Sequence, residues 1–211
     1  LIFNQAGDRQ IEAIASDQNR AKITVLLENG DFQIISRRTW NAQPPKNSLA
    51  DLPSPKRITI HHTASPTLSV TASQATEEAR MRHIQQGEMT GAQNFSDIGY
   101  HYVIMPSGRI YEGRPNGKKG AHDMINDGFG IAMEGTFHLT EKITDAQFNS
   151  AVALCTQLCK KIGITDPTTL VLTPHTRLGE PSPKPLPSII GHGNRFGGTC
   201  PGSGVPVHDI R

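Results

Sequence analysis

Apolar and polar positions alternate in short runs along most of this chain and take helical spacing in only two places. In RITIHH (57–62), Ile58, Ile60 and His62 share one face of an extended segment, while Arg57, Thr59 and His61 share the other. FGIAMEG (129–135) divides the same way, with Phe129, Ile131 and Met133 opposite Gly130, Ala132 and Glu134. GYHYVIMPSGRIYEGR (99–114) reads as a hairpin turning at Pro106-Ser107-Gly108, and SIIGH (188–192) as a last short strand that delivers His192. TDAQFNSAVALCTQLCKKIG (144–163) has the clearest helical period, opened by Thr144 or Asp145 and closed by Gly163. Residues 72–89 carry a second helix through Ala75, Ala79, Arg82–His83 and Gln86, with Thr71 as its cap.

The alternation of strands and helices begins at Arg57 and implies an α/β domain. Residues 1–34 read as an appendage or the remnant of a preceding segment, and 35–211 as the domain. Within AKITVLLENGDFQII, Asn29-Gly30 between apolar runs signals a hairpin. Residues 37–55 are polar and proline-rich, an extended connection in which the lone Trp40 serves as a packing anchor. Residues 166–190 hold Pro167, Pro174, Pro181, Pro183, Pro185 and Pro187 without periodicity, and read as a long functional or disordered loop.

Composition narrows the picture. Lysine and arginine number 21 against 19 acids, so a formal charge of +2 gives no electrostatic case for nucleic acid. No apolar stretch approaches the roughly 20 residues of a membrane-spanning helix. The sequence starts at Leu1 with no charged-then-apolar leader, which reads as a processed or trimmed fragment. Of the three cysteines, Cys155 and Cys159 lie one helical turn apart and read as small buried hydrophobes, leaving Cys200 as the odd one.

Cys200 follows His192 within GHGNRFGGTCPG (191–202), where Gly197 and Gly198 let the chain turn so that both ends reach one point. His61 lies opposite the isoleucine face and is the better candidate of the adjacent histidines for an open cleft; His62 reads as buried, donating to a backbone carbonyl. Two histidines and a cysteine match the three protein ligands of a catalytic zinc site with an open fourth position. By itself the His192–Cys200 spacing is a weak pattern. The face formed by Gly130, Ala132 and Glu134 either leaves room for a substrate or accommodates a packed helix.

ITIHHTA (58–64), SDIGYHYVIMPSGRIYEGRP (96–115), GAHD (120–123), GIAMEGTF (130–137) and GHGNRFGGTCPG (191–202) occur in the order seen in the zinc amidase family. That family holds phage lysozyme-type N-acetylmuramoyl-L-alanine amidases and peptidoglycan recognition proteins. ISRRTWNA (35–42) resembles its opening segment, so the resemblance covers about 35–211. It implies a mixed central β-sheet flanked by helices, with zinc at one end of a peptidoglycan-binding groove. The family's ligands fall on His61, His192 and Cys200, and its catalytic tyrosine on Tyr100. A related branch carries an aspartate ligand and a glutamate where this chain has Cys200 and Ala132, so the chain resembles the tyrosine-using branch. The position two before the cysteine is typically lysine or threonine and assists catalysis. Here it is Gly198, so either Thr199 next door serves as the catalytic helper, or a small loop shift supplies one, or the role is absent.

Further roles follow from the same resemblance. His122 lines the groove and contacts substrate or is structural, Thr63 contacts substrate, and Glu134 is a candidate base or a hydrogen-bonded structural carboxylate. The implied activity is hydrolysis of the amide between N-acetylmuramic acid and L-alanine of peptidoglycan by a monomer. The implied location is secreted, periplasmic or cell-wall associated, or that of a phage endolysin acting from the cytoplasm. Two alternatives stay open: a recognition module with little turnover, and a purely structural zinc. Members that only recognise peptidoglycan generally lack a complete ligand set, and this chain keeps all three.

Overall fold

The computed structural model describes residues 10–15, 21–26, 32–176 and 179–211. The chain divides into two units, Leu1–Gln33 and Ile34–Arg211. In the first, β1 (Gln10–Ala15) and β2 (Ala21–Leu26) form an antiparallel pair, with Gln10 opposite Leu26 and Ala15 opposite Ala21. The expected hairpin at Asn29-Gly30 lies outside the described residues. The runs it was to join take other partners: β2 pairs with β1, and the next run pairs within the second unit.

The second unit is built on a six-stranded mixed sheet. Its strands are β3 (Ile34–Ile35), β4 (Ile58–His62), β5 (Tyr102–Ile104), β6 (Ile110–Glu112), β7 (Phe129–Met133) and β10 (Ile189–Gly191). They lie in the order β10-β4-β7-β5-β6-β3. β10, β4, β7 and β5 run parallel, and β5 and β6 form the antiparallel hairpin, turning at Gly108 with φ +86°. Register sets the two faces: His61 lies beside Ala132, and Ala132 beside Val103.

Helix α1 (Gln74–Thr90) covers the His61 face. Its Met81 and Ile84 join Ile35, Trp40, Val103, Tyr111 and Ala132 in one buried cluster. Trp40 is fully buried and donates from Nε1 to Glu112 O at 2.8 Å, the anchoring role expected of it. The face of α1 is not the expected one. Ala75, Ala79, His83 and Gln86 are exposed, whereas Glu77, Met81, Ile84, Gln85 and Met89 are buried. Two of these are polar and are buried because they have partners: Glu77 accepts from Tyr111 Oη at 3.0 Å, and Gln85 donates to Asp97 at 2.6 Å. The cap is Ser73 rather than Thr71.

Helix α2 (Asp145–Ile162) lies on the other face, with Leu158 near Ile34 and Tyr102. Thr144 and Gln147 form a reciprocal capping box at its start, and Gly163 closes it at φ +75°. Cys155 and Cys159 are free, buried thiols on this helix. Residues 166–190 are not the long loop expected: β8 (Leu170–Thr173) and β9 (Lys184–Pro187) pair antiparallel within them. Prolines at 185 and 187 hide the strand pattern, and a two-stranded ribbon tolerates them because each strand is an edge. Two short helices follow, α3 (His192–Phe196) and α4 (Val207–Ile210).

The Thr144 hydroxyl accepts from Gln147 N at 3.0 Å and donates to Pro106 O at 2.7 Å, tying α2 to the β5–β6 turn. Thr144→Ala is expected to lower stability by about 1–2 kcal/mol, read as a reduced urea midpoint at unchanged slope.

Candidate metal centre

Two adjacent parallel strands bring the histidines together. β4 ends at His62 and β10 at Gly191, so His61 and His192 emerge at the same end of the sheet, with ring centroids 4.6 Å apart. His192 is the first residue of α3. The chain returns from that helix through Gly197 and Gly198, at φ +81° and +79°, and Gly193 N–H donates to Cys200 O at 2.6 Å. This closes the segment and sets Cys200 Sγ 3.7 Å from His61 Nδ1. One ligand atom from each of His61, His192 and Cys200 falls within 4.8 Å of the others, so the three could hold a metal ion.

The donor set and spacing fit a tetrahedral ion. Bonds of about 2.3 Å to sulfur and about 2.0–2.1 Å to nitrogen separate those two atoms by about 3.6 Å. His61 is 2 % exposed, and burial pulls its pKa well below the ordinary value, with the neighbouring His122 and His192 adding to the effect. It is therefore neutral, as a ligand imidazole must be. Burial pushes the Cys200 thiol up, partly offset by the His62 backbone N–H that it accepts. His62 itself accepts from Phe137 N at 3.2 Å, rather than donating to a carbonyl as expected.

His122 stands behind His61 instead of lining a groove. Its side chain is fully buried, and its Nδ1 lies 3.1 Å from His61 Nε2. Its Nε2 lies 3.2 Å from Gly128 O, an atom that can only accept. Nε2 of neutral His122 therefore carries the proton, Nδ1 accepts, and His61 must donate from Nε2. This chain of hydrogen bonds leaves the His61 Nδ1 lone pair facing Cys200. Gly130 makes room for it, since a Cβ there would lie 2.4 Å from the His122 ring. Buried Arg195 of α3 pairs with Asp123 at 3.1 Å and with Asp127 at 2.7 Å, fastening the His122 loop to the helix that begins with His192.

Tyr100 is half-buried, with its ring 5.3 Å from that of His61. Burial raises its pKa, and the charges of Glu88 and Cys200 push it further, so the phenol keeps its proton. Thr63 Oγ1 accepts from Gly135 N at 3.0 Å, bracing the end of β4 against the turn after β7. Thr199 is exposed beside Cys200.

Glu134 does not serve as a free carboxylate on a cleft face. It is fully buried, paired with Arg80 at 2.8 Å and accepting from Leu68 N at 3.0 Å. The Gly130–Ala132–Glu134 face thus accommodates His122 and α1 rather than open space. Sequence reasoning missed Glu88, which accepts from Gly99 N at 2.8 Å beside Tyr100, and the Arg195 pairs. Neither carries a motif; both are set by tertiary contacts.

The family model for N-acetylmuramoyl-L-alanine amidase matches residues 51–203. The peptidoglycan-recognition protein SD of Drosophila simulans is 39% identical over 118 residues, covering 54% of this chain and 61% of that protein. The chain thus spans about three-fifths of the length of that curated relative. The crystal structure of Drosophila peptidoglycan recognition protein SD superposes with a TM-score of 0.66 at 28% identity, covering 83% of this chain and 91% of that one. An endolysin N-acetylmuramoyl-L-alanine amidase from Clostridium intestinale superposes with a TM-score of 0.57 at 26% identity, covering 84% and 92%.

Two predictions follow from the histidine chain. His122→Ala removes the acceptor for His61 Nε2–H and is expected to weaken zinc binding about 10–100-fold in competition with a chromophoric chelator. His101 accepts from Gly130 N at 3.0 Å and donates to Lys118 O at 2.9 Å, and burial pulls it down to about 3. A histidine depressed in the folded state stabilises fully above its unfolded value, about 6.5, and loses that contribution as pH falls toward 3. Chelator-treated protein should therefore show a urea midpoint that drops steadily below pH 6.5. His101→Asn should flatten that limb.

Proposed function

Because this chain belongs to the N-acetylmuramoyl-L-alanine amidase family, we propose that it hydrolyses the amide joining the lactyl group of N-acetylmuramic acid to L-alanine of peptidoglycan, with zinc as cofactor. The observation that carries the reading is the convergence of His61, His192 and Cys200 on one point with the Tyr100 ring beside them. Three protein donors leave the open position of a catalytic site, whereas a structural site would use a fourth. When bound there, zinc supplies Lewis acidity and acidifies water to a pKa of about 7.

The remaining work falls to the protein. His61 is held neutral and aimed by the His122–Gly128 chain, so its donor atom needs no reorganisation. The protonated Tyr100 phenol donates a hydrogen bond to the oxygen of the scissile carbonyl as negative charge builds on it. Glu134 is committed to Arg80 and takes no part in proton transfer.

A second reading, peptidoglycan recognition with weak turnover, is favoured by one observation. Gly198 offers no side chain where the family resemblance places a helper, and Thr199 is exposed beside it. Under either reading the substrate or ligand is a muropeptide met at the cell wall or outside the cell.

Digestion of purified peptidoglycan is expected to release stem peptides with free L-alanine amino ends, identified by mass, abolished by chelation and restored by zinc. Tyr100→Phe should lower kcat about 10²–10³-fold while zinc content and melting stay unchanged. Binding without release by zinc-loaded protein would establish the recognition reading instead.

A further inference from the structure

Residues 97–101 lie between α1 and β5 outside the β-sheet ladder, so their peptide groups must find partners elsewhere. Ile98 N donates to Asp97 Oδ1 at 2.8 Å. Buried Arg114 donates to Asp97 O at 2.9 Å and to Ile98 O at 2.8 Å. Gly99 O accepts from Ala121 N at 3.0 Å, and Tyr100 O from Arg114 N at 2.8 Å. The N–H immediately before Tyr100, that of Gly99, goes to Glu88 Oε2 at 2.8 Å.

We infer that Glu88, in the last turn of α1, is the positioning residue for Tyr100, acting through the Gly99 N–H to hold the backbone from which the phenol reaches the His61 edge of the metal centre. The inference rests on the reading of Tyr100 as the oxyanion donor. The packing supports it: a Cβ at Gly99 would lie 3.1 Å from Ala121 O, so the segment is pressed closely against its neighbour and has little freedom once Glu88 closes on it. Glu88 itself is raised to about 7 by burial, with Asp97 adding to the rise and the Gly99 N–H and Arg114 opposing it. The half-buried carboxyl therefore has a poised charge and one fixed bond.

The test uses the zinc-loaded full chain carrying Glu88→Ala, Glu88→Gln, Tyr100→Phe and the Glu88→Ala/Tyr100→Phe double change. Glu88→Ala is expected to lower kcat about tenfold or more with KM and zinc content unchanged. Glu88→Gln, whose amide oxygen accepts the same N–H, should restore most of it. In the Tyr100→Phe background Glu88→Ala should cost nothing further, because both act on one group. Independently of turnover, the Gly99 amide resonance should move upfield in Glu88→Ala. The ring resonances of Tyr100 should shift in Glu88→Ala and return toward their parent positions in Glu88→Gln. Additive losses in the double change, or Tyr100 ring resonances indifferent to Glu88, would overturn the inference. If Tyr100→Phe keeps full activity, the oxyanion-donor reading fails on its own, while these resonances still decide whether Glu88 holds Tyr100.

Discussion

Parallel pairing of β10 with β4 is the constraint from which the rest of the site follows. Ile58 lies beside Ile189 and Ile60 beside Gly191, so the residues that follow this last pair, His61 and His192, meet although the chain between them crosses the domain. Parallel neighbours require a long connection. Here that connection supplies α1, the β5–β6 hairpin, the His122 loop, α2 and the β8–β9 ribbon. The third donor then costs only a tight return through two left-handed glycines.

Precision at the candidate metal centre comes from what stands behind it. His122 and Gly128 choose the tautomer of His61, Arg195 binds the His122 loop to α3, and α1 fills the remainder of the face over Ala132. Small residues on β7 are the reason these layers fit: Gly130 admits an imidazole, and Ala132 admits the Met81–Ile84 ridge. The face is tightly furnished, and His61 is almost wholly enclosed by protein.

Much of this was legible in the sequence because strand alternation has only two outcomes. It assigned His61 and His62 to opposite faces, and the caps of α2 and the Gly108 turn were readable from single residues. The face of α1 was not, because hydrophobicity alone cannot foresee that Glu77 and Gln85 are buried by the partners Tyr111 and Asp97. The β8–β9 ribbon was obscured by prolines that are tolerable only on edges. The two roles open to Glu134 could not be separated from sequence, because the covering Arg80, a contact distant in sequence, was invisible. His122 was noticed, but its place behind His61 emerges only from three-dimensional hydrogen bonding.

Gly198 sets a limit on the loop that carries Cys200. A side chain built there would enter open space, with nothing within 4 Å of its Cβ, yet the backbone sits at φ +79°. A lysine or threonine would have to adopt a left-handed conformation costing roughly 1–2 kcal/mol, with the β-branched threonine the worse fit. Any larger residue placed here would strain the return that carries Cys200 to His61, so the loop keeps its shape at the expense of a side chain beside the third donor.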